Sequence, residues 1–199
     1  MNLEQNNSAG TEQKSKVKKQ YMGRHCSFDS GHRVMNEKMK CFNMHGHTYL
    51  CELKFEFNEM ESIGYAIDFK EIKRVGLQWI DDILDHGMIL NPQDTVVIDA
   101  AVNTGSKLWL MSLNGKDGYC NPSAENISKE IFLAMMVLFQ QYPTLRIHNV
   151  KLHETPNCYV ECIKDSISDE EAHNWMINRY EEVNKYALDK GVYEYDDRK

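Results

Sequence analysis

The stretch at residues 45–57 alternates. Tyr49, Cys51, Leu53, Phe55 and Phe57 are apolar at every second position, and Thr48, Glu52, Lys54 and Glu56 lie between them, with Leu50 the one exception. Side chains of an extended chain point to opposite faces in turn, so a period of two specifies a half-buried strand. A strand with one wet face belongs in an antiparallel sheet. His45 and His47 open this strand at i and i+2 and therefore share one face. Two imidazoles so placed can take neighbouring corners of a metal ion.

His32 lies thirteen residues before His45, far enough for a loop to return it as a third ligand. Three neutral nitrogens with an open fourth position describe a catalytic zinc site, whereas closed structural sites are usually richer in cysteine. Cys41 stands four residues before His45. It is placed to act as a nucleophile or base beside the metal, or to close the site as a fourth ligand. Spacing alone leaves both readings open, together with the plain one in which the histidines are ordinary surface or core residues.

The remaining elements follow in order. Residues 1–18 are polar and poor in large apolar groups, the composition of a mobile tail. Residues 19–28 read as a first strand, and residues 29–44 as the loop of a long hairpin carrying His32 and Cys41. Asp68, with Glu71 three residues on, has a capping-box pattern and opens a helix that ends near Leu84. Asp85 and His86 follow it. A histidine there is either a proton carrier tuned by its carboxylate or simply a favourable charge at the helix terminus. Residues 88–121 are irregular, with short strands expected at 95–98 and 107–113 and a turn at Asn114-Gly115. Ser123 caps a second helix that Pro143 stops. Residues 146–154 and 157–163 form two more strands, leaving Glu154 at a strand end as a solvated carboxylate or a ligand group. Ser168 and Glu171 begin a last helix that ends near Gly191, and the final YEYDDRK is loose.

Strands on either side of a helix pair give an α+β fold. A four-stranded antiparallel sheet carries two helices on one face, with a C-terminal helix added. Its open edges favour association between copies. With 199 residues the chain suits one domain with extensions. Lys+Arg 23 against Asp+Glu 30 gives net charge −7, which argues against a nucleic-acid binder. The longest apolar run, residues 131–139, is too short to span a bilayer, and no secretory signal is evident. Six cysteines without a dense framework suggest reduced thiols in a cytoplasm.

Five motifs stand in a fixed order: GHRV, CFNMHGHTY, LDHG, NPSAENI and HETP. In them the sequence resembles the family of 6-pyruvoyl- and 6-carboxy-tetrahydropterin synthases over about residues 20–163. Only three residues separate Cys41 from HGH. That short gap resembles the 6-carboxy-tetrahydropterin synthase branch, which acts in queuosine biosynthesis. The resemblance implies a tunnelling fold over residues 19–165, in which several subunits close a barrel as trimers or hexamers with active sites at their interfaces. It implies zinc on His32, His45 and His47, with Cys41, Asp85 and His86 as catalytic groups. It further implies Glu154 as the pterin anchor and 7,8-dihydroneopterin triphosphate as substrate. The alternatives are the pyruvoyl-forming synthase on the same substrate and a non-catalytic, zinc-stabilised oligomeric module. Two departures stand out. Pro122 follows His86 by 36 residues, an insertion at about 92–119, and a helical extension occupies 166–199.

Overall fold

The computed structural model describes residues 15–194. Its centre is an antiparallel hairpin of two long strands, β1 (Ser15–His32) and β2 (His45–Met60). The alternation at 49–57 is realised as expected. Tyr49, Cys51, Leu53, Phe55 and Phe57 are buried, and the residues between them are half-buried or exposed. β2 pairs on its other side with β5 (Leu145–Thr155), and β5 with β6 (Cys158–Cys162), both antiparallel.

The sheet has six strands rather than the expected four, and it is mixed. Two short strands, β3 (Gly87–Leu90) and β4 (Lys107–Leu110), extend it in the order β4-β3-β1-β2-β5-β6. β3 runs parallel to the end of β1, and β4 runs parallel to β3. Each is only four residues long, and each depends on an edge supplied by a distant segment.

Four local expectations also change. His32 is the last residue of β1, directly opposite His45, so it sits on a strand and not in the connecting loop. Residues 95–98 are helical, the start of α3 (Thr95–Thr104). Val97 and Ala101 bury one face of α3, and Gly105 ends it in a left-handed conformation at φ 67°. β-branched side chains there suggested a strand, but burial at i and i+4 favours the helix. Residues 15–18, assigned by composition to a tail, begin β1; the rest of that tail and residues 195–199 lie outside the described residues. The first helix is split into α1 (Phe69–Ile72) and α2 (Gln78–Ile83), joined by a π turn at Lys73–Leu77. Asp68 accepts from the Lys70 N–H, while Glu71 pairs with Arg74 instead of completing a box. Gly76 in the π turn lies tight against the core. A Cβ there would meet Leu53 and Met135 at 3.0 Å, so glycine lets the turn lie on the sheet.

The helix α4 (Ala124–Leu138) is capped by Ser123 and buries most of its length against β5 and β6. The last helix, α5 (Asp169–Asp189), opens with the expected Ser168–Glu171 box and packs on α4. Its Trp175 is fully buried and donates its indole N–H to Glu130 of α4 at 2.7 Å. Glu130 also accepts from the Trp109 indole at 3.2 Å and from the Ser112 N–H at 2.6 Å. One buried carboxylate thus joins the insertion, the domain core and the C-terminal helix. Burial pushes its pKa up, while Ser112, Arg179 and Trp175 oppose that shift. No helix among the described residues is long and apolar enough to cross a membrane.

Candidate metal centre

The end of the β1–β2 hairpin brings three imidazoles together. His32 pairs across from His45, and Ser30 from His47, so all three histidines fall on the inward face in line with Phe28 and Tyr49. Gly46 permits the close approach of the strands, because a Cβ there would stand 3.0 Å from the Ser30 carbonyl oxygen. The ring centroids form a triangle of 4.5, 5.1 and 5.0 Å. One nitrogen from each ring lies within 4.8 Å of the others.

Two backbone carbonyls orient these rings. His32 Nδ1 lies 2.8 Å from the Pro122 oxygen, and His45 Nδ1 lies 2.7 Å from the Asn43 oxygen. A carbonyl only accepts, so both Nδ1 atoms carry the proton and both Nε2 atoms present a lone pair. Those two Nε2 atoms are 3.1 Å apart. Facing lone pairs at that distance repel unless a cation lies between them. Burial first, then His45 and His47, lower the His32 pKa despite the opposing Pro122 and Glu154 contributions, which favours the neutral, metal-binding imidazole. A set of neutral imidazole nitrogens suits zinc, and the residues present fit such an ion.

Glu154, near the end of β5, faces the same cluster. Its Oε1 lies 3.8 Å from His32 Nε2 and 3.9 Å from His47 Nε2, too far for hydrogen bonds. The carboxylate is about a quarter exposed, at 28%. Cys41 lies in a 3₁₀ turn, Lys40–Phe42, half-buried, with its sulfur outside the group of candidate ligand atoms. It remains close enough to influence the site: burial, then Glu154, then Cys41 raise the pKa of the Tyr49 phenol well above its usual value. The Tyr49 hydroxyl itself stands 3.3 Å from His32 Nδ1.

Asp85 and His86 are placed differently. They lie on the β3 side of β1 and bond to Asp29 rather than to the three histidines. Asp85 Oδ1 accepts from the Asp29 N–H at 2.7 Å, and the His86 N–H donates to the Asp29 carbonyl at 2.6 Å. Asp85 Oδ2 holds His86 Nδ1 at 2.5 Å, which leaves Nε2 free on a side chain that is 74% exposed. His86 is the one non-glycine residue among those described with a positive φ, 55°, where the chain turns from α2 into β3. Burial would raise the Asp85 pKa, but the Asp29 N–H, His86 and the Lys107 ammonium outweigh it and hold the carboxyl below its usual range.

Sequence reasoning missed Tyr49 as a site residue, the Asn43 and Pro122 carbonyls, and Asn121. Asn121 Oδ1 accepts from the Met35 N–H at 2.9 Å and from Asn91 Nδ2 at 3.0 Å. The NPSAENI motif pointed to this segment, although not to the loop it holds.

Comparison with known proteins identifies the family. Residues 21–165 match the family model described as 6-pyruvoyl tetrahydropterin synthase. A protein of Rickettsia felis named 6-carboxy-5,6,7,8-tetrahydropterin synthase is 38% identical over 143 residues, covering 69% of this chain and 96% of its own. Among solved structures, an uncharacterized Wolinella succinogenes protein, WS1659, superposes with a TM-score of 0.59 at 16% identity, covering 73% of this chain and 98% of its own. The 6-pyruvoyl tetrahydropterin synthase of Plasmodium falciparum gives 0.53 at 17% identity, covering 73% and 98%. At such identities these two structures speak for the fold alone.

Proposed function

Since the chain belongs to the 6-pyruvoyl tetrahydropterin synthase family, we propose that it is a zinc-dependent 6-carboxy-5,6,7,8-tetrahydropterin synthase. The substrate is 7,8-dihydroneopterin triphosphate, and acetaldehyde and triphosphate are released. The observation that carries this reading is the pair of converging Nε2 atoms of His32 and His45, 3.1 Å apart, with His47 and Glu154 beside them. The naming of relatives as carboxy-forming synthases supports the branch, as does the three-residue gap between Cys41 and His45.

His32, His45 and His47 hold the ion. When bound, zinc supplies Lewis acidity toward the side-chain hydroxyls of the substrate. Glu154 offers two carboxylate oxygens to the guanidine-like edge of the pterin, a match of parallel acceptors to parallel donors. Cys41 takes a proton from the substrate side chain. Asp85 fixes the His86 ring with Nδ1–H directed to its carboxylate, so that Nε2 carries the second proton. This pair faces solvent across β1 from the histidines, and it serves a site completed by an adjoining copy. The edge of β1 before Ser30, and that of β6, pair with no other strand among the described residues, which supports assembly into a trimer or hexamer. The six cysteines are all free, which suits a cytoplasmic enzyme.

The test is to incubate zinc-loaded protein with dihydroneopterin triphosphate and identify the products. Acetaldehyde with a carboxy-pterin supports the proposal. A pyruvoyl pterin assigns the chain to the other branch, and absence of turnover leaves a zinc-stabilised module.

A further inference from the structure

The insertion after β3 does not stand apart from the site. It grips the loop between β1 and β2, which carries Cys41. Asp94 is buried, with 1% of its surface exposed, and occupies the N-cap position of α3, yet its side chain makes no cap bond to that helix. Its Oδ2 instead lies 2.8 Å from Nε of Arg33, the residue after His32. The Arg33 guanidinium stacks 4.6 Å above the ring of Phe42, the residue after Cys41. The loop is closed between these two residues by the Val34 N–H donating to the Cys41 carbonyl at 2.8 Å. The segment preceding α4 holds the same loop a second time. The Tyr119 hydroxyl donates to the Met35 carbonyl at 2.6 Å, and Asn121 Oδ1 accepts the Met35 N–H.

We propose that Arg33 and Asp94 are a positioning pair that fixes Cys41 relative to the histidines, with Phe42 as the surface on which the guanidinium rests. The guanidinium pairs with the Asp94 carboxylate by charge, its Nε–H not aligned for a hydrogen bond to Oδ2, while its flat face lies on the Phe42 ring, which a lysine's compact ammonium would not reproduce. The proposal rests on the reading of Cys41 as the proton-abstracting base. A proton transfer needs its base placed within a fraction of an ångström, so a loosened loop should be costly to turnover and not to metal binding.

The experiment compares Asp94→Asn and Phe42→Leu with the unaltered full chain, each zinc-loaded. Zinc per chain, kcat and KM for dihydroneopterin triphosphate, and the rate at which Cys41 is alkylated by iodoacetamide are measured. The expected result is full zinc, kcat lowered roughly 10- to 100-fold, KM changed less than about twofold, and a changed Cys41 alkylation rate. Phe42→Leu leaves the Arg33–Asp94 ion pair intact and should show the same split, so misfolding of Asp94→Asn cannot imitate the result. Loss of zinc in parallel with activity would mean that the pair holds His32. Unchanged kcat and unchanged alkylation would overturn the proposal outright. If the unaltered chain does not turn over this substrate, the role of Cys41 as base fails by itself, and the alkylation rates still decide whether Arg33 and Asp94 fix the loop.

Discussion

Replacing Glu154 by glutamine separates its proposed role from that of the metal ligands. The change keeps shape and volume and removes only the charge and one acceptor. In the structure neither carboxylate oxygen has a hydrogen-bond donor among the described residues; His32 Nε2 and His47 Nε2 stand 3.8 and 3.9 Å from Oε1, beyond hydrogen-bond reach. Both oxygens are therefore free for a ligand with two parallel N–H groups. Glutamine would keep one such bond, now neutral, and set an NH₂ group against the other ligand N–H. Hydrogen bonds to charged groups contribute about 1.5–3 kcal/mol each, so losing one and weakening its neighbour costs about 2–4 kcal/mol. That corresponds to a roughly 30- to 700-fold rise in Kd. Fluorescence titration of zinc-loaded protein with neopterin measures it, with zinc content determined on the same samples. Zinc should stay bound, because the three imidazoles are untouched. Unchanged neopterin affinity would refute the anchor role, and parallel loss of zinc would show that Glu154 acts on the ion.

Cys41→Ala should retain zinc and lose about 10²- to 10⁴-fold in kcat, the usual contribution of a general base, as read by steady-state turnover. Glu130→Gln leaves an NH₂ group facing donors now satisfied from Ser112, Trp109 and Trp175. Unsatisfied buried donors cost about 1–3 kcal/mol each, so a net loss of about 2–4 kcal/mol is expected, a fall in Tm of roughly 5–15 °C by calorimetry. Glu171 gives a pH test. Burial raises its pKa, but Lys129 at 2.6 Å and Ser168 reverse the sign and hold it below the ordinary glutamate value of 4.5. A depressed folded-state pKa stabilises above the ordinary value and is lost as the pH falls through the folded one, so denaturation midpoints should decline below about pH 4.5. In Glu171→Gln that decline should be shallower.

What the sequence disclosed was mostly local. The period of two through Tyr49–Phe57 specified a strand, and the same period put His45 and His47 on one face. Ser123 and the Ser168–Glu171 pair marked helix starts because a cap is written within four residues. The missed features are long-range. β3 and β4 form only because β1 and β3 offer edges to them, and nothing in four residues announces a distant partner. The strand expected at 95–98 followed β propensity, which the burial of Val97 and Ala101 overrode. His32 was expected in a loop because its pairing with His45 depends on the hairpin register rather than on nearby residues. The Pro122 carbonyl that orients His32 comes from 90 residues away, and a backbone oxygen leaves no trace in residue identity. The fitting of Arg33 between Asp94 and Phe42 is of the same kind.

The proposed metal is held by imidazoles alone, beside a free thiol. Cobalt(II) substituted for zinc reports this directly, because a thiolate ligand adds an intense charge-transfer band that nitrogen and water ligands lack. The expected spectrum lacks that band and is the same in Cys41→Ala as in the unaltered chain. A charge-transfer band that disappears in Cys41→Ala would place the sulfur on the metal and refute an all-imidazole site.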